Sequence, residues 1–196
     1  MFKQIENLHR IVETLDSRML TCFALGCCER QFPIYARACD GQFWSNSTVL
    51  RGYLDTVWEE IGSANSLTLD AAIICADSAP VDPVETKIYA AADVAMSIAA
   101  LIRYVVTGDI SHVITIAEKS YDLINELVYA LTDLEINTKN NILVDSHPLM
   151  MLETARQEND LLQLKTSEFD ENTISLTRSR SVGVSIFEDE WYPDGY

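Results

Sequence analysis

Six charged residues, Glu29, Arg30, Arg51, Asp55, Glu59 and Asp93, are set into runs that otherwise show the apolar periodicity of buried helices. They constrain the fold more than any other feature. Asp93 is the sharpest case, because it interrupts Ile88 to Val106, the most hydrophobic stretch of the chain. A carboxylate inside such a helix must be protonated or paired with a cation from another element. Arg30 and Arg51 are the economical partners. Arg51, Asp55 and Glu59 follow one another at four-residue spacing, a ladder on one helix face in which an arginine bonds a carboxylate one turn away. The pattern predicts an interhelical ion cluster that either lines a ligand pocket or specifies one helix packing.

The apolar positions themselves recur at three- and four-residue steps along most of the chain. Ile5, Leu8, Val12 and Leu15 make a first amphipathic helix, and Ser17 caps a second through Leu20, Phe23, Ala24 and Cys27. Pro33 closes or kinks that second helix, leaving a further turn or two from Tyr35 to Cys39. Asn46 or Ser47 caps a helix through Leu50, Leu54, Val57 and Trp58 that Gly62 ends, and a shorter one runs from Ser66 through Cys75. Asp82-Pro83 starts the long apolar helix, and Thr107-Gly108-Asp109 turns it into another from Ser111 to Leu134. The turn is short, so these two are antiparallel neighbours. Asp145-Ser-His-Pro148 opens a last helix, with Met151, Leu152, Ala155, Leu161, Leu162 and Leu164 as its core contribution. The expected fold is all-α, a compact bundle of about seven helices.

Beyond Lys165 the character changes. The segment is rich in Ser, Thr, Asp and Glu, with seven acids against two bases. Its alternating pieces, Ile174-Ser-Leu-Thr and Val182-Gly-Val-Ser-Ile186, read as a small hairpin or as disorder. The expected organisation is a helical domain over 1–165 and an acidic C-terminal extension over 166–196.

A net charge of −16 repels phosphate backbones and anionic lipid, which argues against nucleic-acid and membrane-surface binding and favours basic partners. Hydrophobic residues at 48% still suffice to drive collapse. The five cysteines are odd in number and lack paired metal-ligand spacing, so they read as reduced thiols. The start, Met1-Phe-Lys-Gln-Ile-Glu-Asn, has no uninterrupted apolar run of an export signal, and Asp93, Ser97 and Arg103 break the one stretch long enough to span a bilayer. Both point to a cytoplasmic location.

Little in the sequence suggests catalysis. Glu6-x-x-His9 and Asp109-x-x-His112 have the spacing of bundle metal ligands, but both lie near helix starts, where acids serve the dipole and histidines are solvated. Neither is taken as a metal site, and no cofactor is expected. There is no phosphate-binding glycine motif and no nucleophile elbow among only seven glycines. Cys28 beside Arg30 is a candidate nucleophile with no histidine near it in sequence, and its apolar flanks favour a core thiol.

Three groups of these residues are similar to a known family. They are Cys28-Glu29-Arg30-Gln-Phe-Pro33-Ile-Tyr35, then Arg51-x-x-Leu54-Asp55-x-x-Trp58-Glu59, then Pro80 with Tyr89-Ala-Ala-Ala-Asp93. In order and spacing the chain resembles the YjaG-like family, domain of unknown function 416, from about Leu8 to Lys165. The resemblance implies a bacterial, all-helical, cytoplasmic domain and supplies no catalytic residues. The chain departs from it at Arg18, where relatives tend to have tryptophan, at Ile34, where they tend to have asparagine, and in the segment after Lys165.

Two functional readings follow. The first is a non-enzymatic acidic interaction protein, most concretely an immunity-type inhibitor that occludes the basic site of a toxin or nuclease. Asp70, Asp77, Asp82 and Glu85 around the middle of the chain, and Glu188, Asp189, Glu190, Trp191 and Tyr192 near its end, are the candidate contacts. The second is a small-molecule-binding or enzymatic helical domain built on Glu29, Arg30, Asp55, Glu59 and Asp93. Exposed apolar residues also allow a homo-oligomer.

Overall fold

The structure is a computed structural model that describes residues 8–38, 46–62, 66–80, 89–132, 141–182 and 184. Within them, helical residues 8–12 precede eight helices: α1 (Ser17–Ala38), α2 (Ser47–Glu59), α3 (Leu69–Asp77), α4 (Tyr89–Thr107), α5 (Ser111–Thr132), α6 (Asn141–Asp145), α7 (Pro148–Thr166) and α8 (Glu171–Ser181). No strand occurs among the described residues, and the fold is all-α.

Helix α4 lies at the centre, packed against α1, α3 and α5. It is long and apolar enough to pass for a membrane span, yet more than half of it is buried by its neighbours. Ala91, Ala95 and Ala99 place small side chains one turn apart on its buried face, which lets neighbouring helices approach closely. Val94, Ile98, Leu101 and Ile102 then interlock with Phe23 and Leu25 of α1 and Val113, Ile116 and Ile124 of α5 in one continuous core. Gly108, at φ +72, makes the turn between α4 and α5, a left-handed conformation that glycine adopts without steric cost.

Helix α1 differs from its expected form at both ends. Its cap is Asp16 and not Ser17, since the Asp16 carboxylate accepts from the backbone N–H of Arg18 and of Met19. Pro33 does not end it. The helix continues through Pro33 to Ala38, although an interior proline costs about 3 kcal/mol. Burial beyond the proline offsets that cost. Ile34 and Tyr35 are both in the core, and the Tyr35 hydroxyl donates to the Ser78 carbonyl at 2.8 Å, tying the end of α1 to the end of α3.

Helix α7 also turns a different face inward. Met151, Leu152 and Leu162 are exposed, while Leu149, Met150, Glu153, Gln157, Leu161 and Leu164 are buried. The buried stripe keeps the helical spacing but has three polar members, Glu153, Thr154 and Gln157. The start is as anticipated: Pro148 opens the helix and His147 caps it, accepting from the Leu149 N–H through Nδ1.

Ile174 to Thr177, expected with 182–186 to form a small hairpin or to be disordered, is helical, and part of the expected extension packs on the body; 183, 185 and 186 lie outside the described residues. Asp170 caps α8 by accepting from the Thr173 N–H at 2.8 Å, and Glu171 at the start with Arg178 and Arg180 at the end complement the dipole. Apolar alternation misleads here because the buried face is small and polar. Thr173, Thr177 and Ser181, spaced four apart, face α1, and the hydroxyls of Thr177 and Ser181 donate back to carbonyls one turn earlier. The stripe lies over Gly26, where a Cβ would come within 3.1 Å of Ser181 Oγ and 3.6 Å of Arg30 Nη1. Gly26→Val is therefore expected to lift α8 from α1. Limited proteolysis would then cut between residues 166 and 182 at a protease concentration that leaves the wild type intact; equal resistance would show that α8 shifts without detaching.

Candidate functional site

The six charged residues do not form a single cluster. They divide among two networks centred on consecutive residues of α1, a third pair on α4 and α5, and one exposed position.

Glu29 centres the first network. Its side chain is almost fully buried, and it accepts two parallel hydrogen bonds from Arg51 of α2, each 2.6 Å long. The Trp58 indole N–H donates to the same carboxylate at 2.7 Å. Arg51 also donates to Asp55 at 3.2 and 3.0 Å, which is the ladder expected from their spacing. Arg178 of α8 donates to Asp55 as well, at 3.1 Å, and lies over the Trp58 ring. The network thus joins α1, α2 and α8. A fork-to-fork arginine–carboxylate pair fixes both distance and angle, so it sets the register of α2 against α1.

Arg30, one position on, is turned by about 100° to face α7 and centres the second network. It donates from Nη1 to Asp160 at 2.8 Å and from Nη2 to Glu153 at 3.3 Å, both on α7. Gln157, between them on the same face, donates to Glu153 at 3.0 Å and to the Ala117 carbonyl of α5 at 3.2 Å. Burial opposes the arginine's charge, but Glu153, Cys27 and Asp160 outweigh it and push its pKa up. Burial raises the Asp160 carboxyl above its ordinary range, with Arg30 pulling against it and Arg180 doing so more weakly.

Asp93 pairs with neither Arg30 nor Arg51. Its partner is Lys119 of α5, because α4 turns Asp93 toward α5 and away from α1. Glu59 stays out of the networks. The helix rotates it to the exposed edge, where it lines a shallow groove of about 370 Å³ with Trp58, Ile61, Glu171 and Arg178.

Burial disfavours the thiolate at the four described cysteines, Cys22, Cys27, Cys28 and Cys75. Burial, then Cys27 and Glu29, raise Cys28 well above its ordinary value, and burial pushes Cys27 up to about 12. Asp109 is occupied as a cap, accepting from the Ser111 N–H at 3.0 Å. Among the described residues no three His, Cys, Asp or Glu side chains are grouped to hold a metal.

Among the residues proposed to contact a partner, Asp70 and Asp77 are exposed on α3. They share one helix face with Ile73 and Ile74, at steps of three, four and seven residues from Asp70. Ile73 is 52% exposed and Ile74 45%, with Leu69 beside them at 50%. The inner face of α3 is made of Ala71, Ala72 and Cys75. Asp82, Glu85, Glu188, Asp189, Glu190, Trp191 and Tyr192 lie outside the described residues.

The network partners missed from sequence are Glu153 and the neutral Gln157, then Asp160, Arg178 and Lys119. For the first two a signal existed. Met150, Glu153, Gln157, Leu161 and Leu164 follow the three- and four-residue steps of one stripe, so a glutamate and a glutamine occupy positions of the buried face.

These features define a class: an all-helical domain whose packing is registered by buried arginine–carboxylate networks rather than by a metal or disulfides in its described parts. The chain belongs to the family described as "Protein of unknown function (DUF416)", whose model matches residues 7–185. That match runs past Lys165 and takes in α8, so the segment after Lys165 is largely shared with the family. The fold is similar to that of a DUF416 family protein from Shewanella baltica OS155, with a TM-score of 0.77 at 18% identity over 87% of this chain and 90% of that one. No curated protein matches the sequence.

Proposed function

We propose that the protein is a non-enzymatic, cytoplasmic interaction protein that docks on a basic protein partner, in its most specific form an immunity-type inhibitor that covers the basic site of a toxin or nuclease. The outer face of α3 is the observation that carries this reading. Two exposed carboxylates, Asp70 and Asp77, bracket the exposed Ile73 and Ile74, with the exposed Leu69 beside Asp70, an apolar strip with an acidic rim. Interfaces need both parts: apolar area for affinity and peripheral charge for steering and partner choice. A chain at −16 selects a basic partner through such a rim. The buried networks support the same reading, since their charges are spent on one another and register helices.

The reading is tested by capture of basic proteins from the host lysate at low and at high salt, using wild type and the Asp70→Lys/Asp77→Lys variant. A basic protein retained only at low salt, and released by charge reversal while the circular dichroism spectrum is unchanged, is the expected result. Capture that ignores both salt and charge reversal, or recovery of no basic protein, overturns it.

The alternative, a small-molecule-binding domain, finds support at one place. Arg30, in the second network, also lines an open groove.

A further inference from the structure

Helix α7 carries a second stripe that the fold leaves outside. Met150, Glu153, Gln157, Leu161 and Leu164 face the body. On the opposite side Met151, Ala155, Glu158 and Leu162 repeat the same three- and four-residue steps, with Leu152 beside them. All five are exposed, Met151 at 60% and Leu162 at 59%. Helix α6, which ends six residues before Met151 and contacts α7, exposes Ile142 and Leu143 as well. A helix that is apolar on two opposite sides has two surfaces to cover, and α1 and α5 cover one of them.

Charge selects what covers the other. Within α7 and the arginine it binds, Glu153, Glu158 and Asp160 are matched in number by Arg30, Arg156 and Lys165, so this region adds no net charge to a molecule at −16. The fully exposed charges of α7 are one of each sign, Glu158 and Lys165. The α3 strip differs, because its rim holds Asp70 and Asp77 and no base. A basic protein is drawn to such a rim, whereas another molecule at −16 is repelled by it and can approach a neutral apolar face.

We propose that the protein self-associates through the outer face of α7, two copies pairing antiparallel about a two-fold axis. The bulky end of one stripe, Met151 and Leu152, then meets Leu162 of the second copy, and the small Ala155 near the crossing lets the helices approach closely. A two-fold contact uses the stripe of both copies and stops at a dimer. The face lies on a different helix from the α3 strip, so the two proposals stand or fall independently.

Sedimentation equilibrium of the full chain over a concentration series, at low and at high salt, tests the surface. A reversible monomer–dimer equilibrium is expected, with more dimer at high salt, because screening weakens the repulsion between two copies at −16. That is the opposite salt dependence to the one expected for a basic partner on α3. Leu162→Glu should weaken the dimer about a hundredfold, since the two-fold axis places the change in the interface twice. The circular dichroism spectrum should not change, because Leu162 is exposed in the single copy. Ile73→Glu, on α3, should leave the dimer constant unaltered. A chain that stays monomeric up to about 1 mM, the weak end of specific association, overturns the proposal, whether or not Leu162→Glu releases a different protein or a lipid vesicle from that face. A dimer that Leu162→Glu leaves intact, that Ile73→Glu weakens as much, or that dissociates as salt rises overturns it too.

Discussion

Replacing Arg30 by alanine is expected to destabilise the protein by about 3–5 kcal/mol, the cost of removing one partner from a buried ion pair. The effect comes less from the lost attraction than from what remains. Glu153 is fully buried and Asp160 nearly so, and both depend on the Arg30 guanidinium for compensation. Without it two carboxylates are left together in the interior, close to Gln157, which already donates to Glu153. Lysine is no substitute, because a single ammonium does not reach two carboxylates along a rigid fork. Urea denaturation followed by circular dichroism measures the loss as a lower midpoint at constant slope. Adding Glu153→Gln to Arg30→Ala should recover part of it by removing one stranded charge. A loss below about 1 kcal/mol for Arg30→Ala, the scale of a surface pair, would mean that water reaches Glu153 and Asp160.

Arg51→Ala is expected to have the next largest effect, again about 3–5 kcal/mol. Glu29 is then buried with only the Trp58 indole N–H to support its charge. Glu29→Gln at the other end of the pair should cost less, because it removes the buried charge itself and keeps an oxygen for Trp58, while Arg51, about a quarter exposed, can turn to water. The asymmetry is the informative quantity. Equal costs would show that the pair contributes through Coulomb attraction alone and not through burial of Glu29. Trp58 fluorescence reports the change locally because its N–H bonds to the same carboxylate.

The surface pair beyond them calibrates these values. Arg178 and Asp55 are each 42% exposed, and such a pair contributes at most about 1 kcal/mol. The α8 helix is therefore held mainly by the fit of Thr173, Thr177 and Ser181 over Gly26 and less by its arginine.

Helical class, the long apolar helix, the turn at Gly108, the Pro148 start and the Arg51–Asp55 ladder all follow from residues within about one turn of one another, and periodicity and capping chemistry are local enough to read from the chain. The six charged residues were legible in the same way, as charges that must find partners. Which partner each finds was not. Glu29 and Arg30 are neighbours in sequence, yet the helix turns about 100° between them, and one meets Arg51 of α2 while the other meets α7. Asp93 finds Lys119 because α4 packs that face on α5. The continuation of α1 through Pro33 and the folding of 171–181 as a helix on α1 depend likewise on surfaces brought together from distant segments. A local rule gives the cost of a proline or a polar stripe, but only the tertiary contacts supply what offsets it. The sequence alone determined that these charges had to be matched inside a helical bundle; the tertiary structure decided with whom, because pairing across helices depends on rotation about each helix axis and on distances that no spacing along one chain encodes.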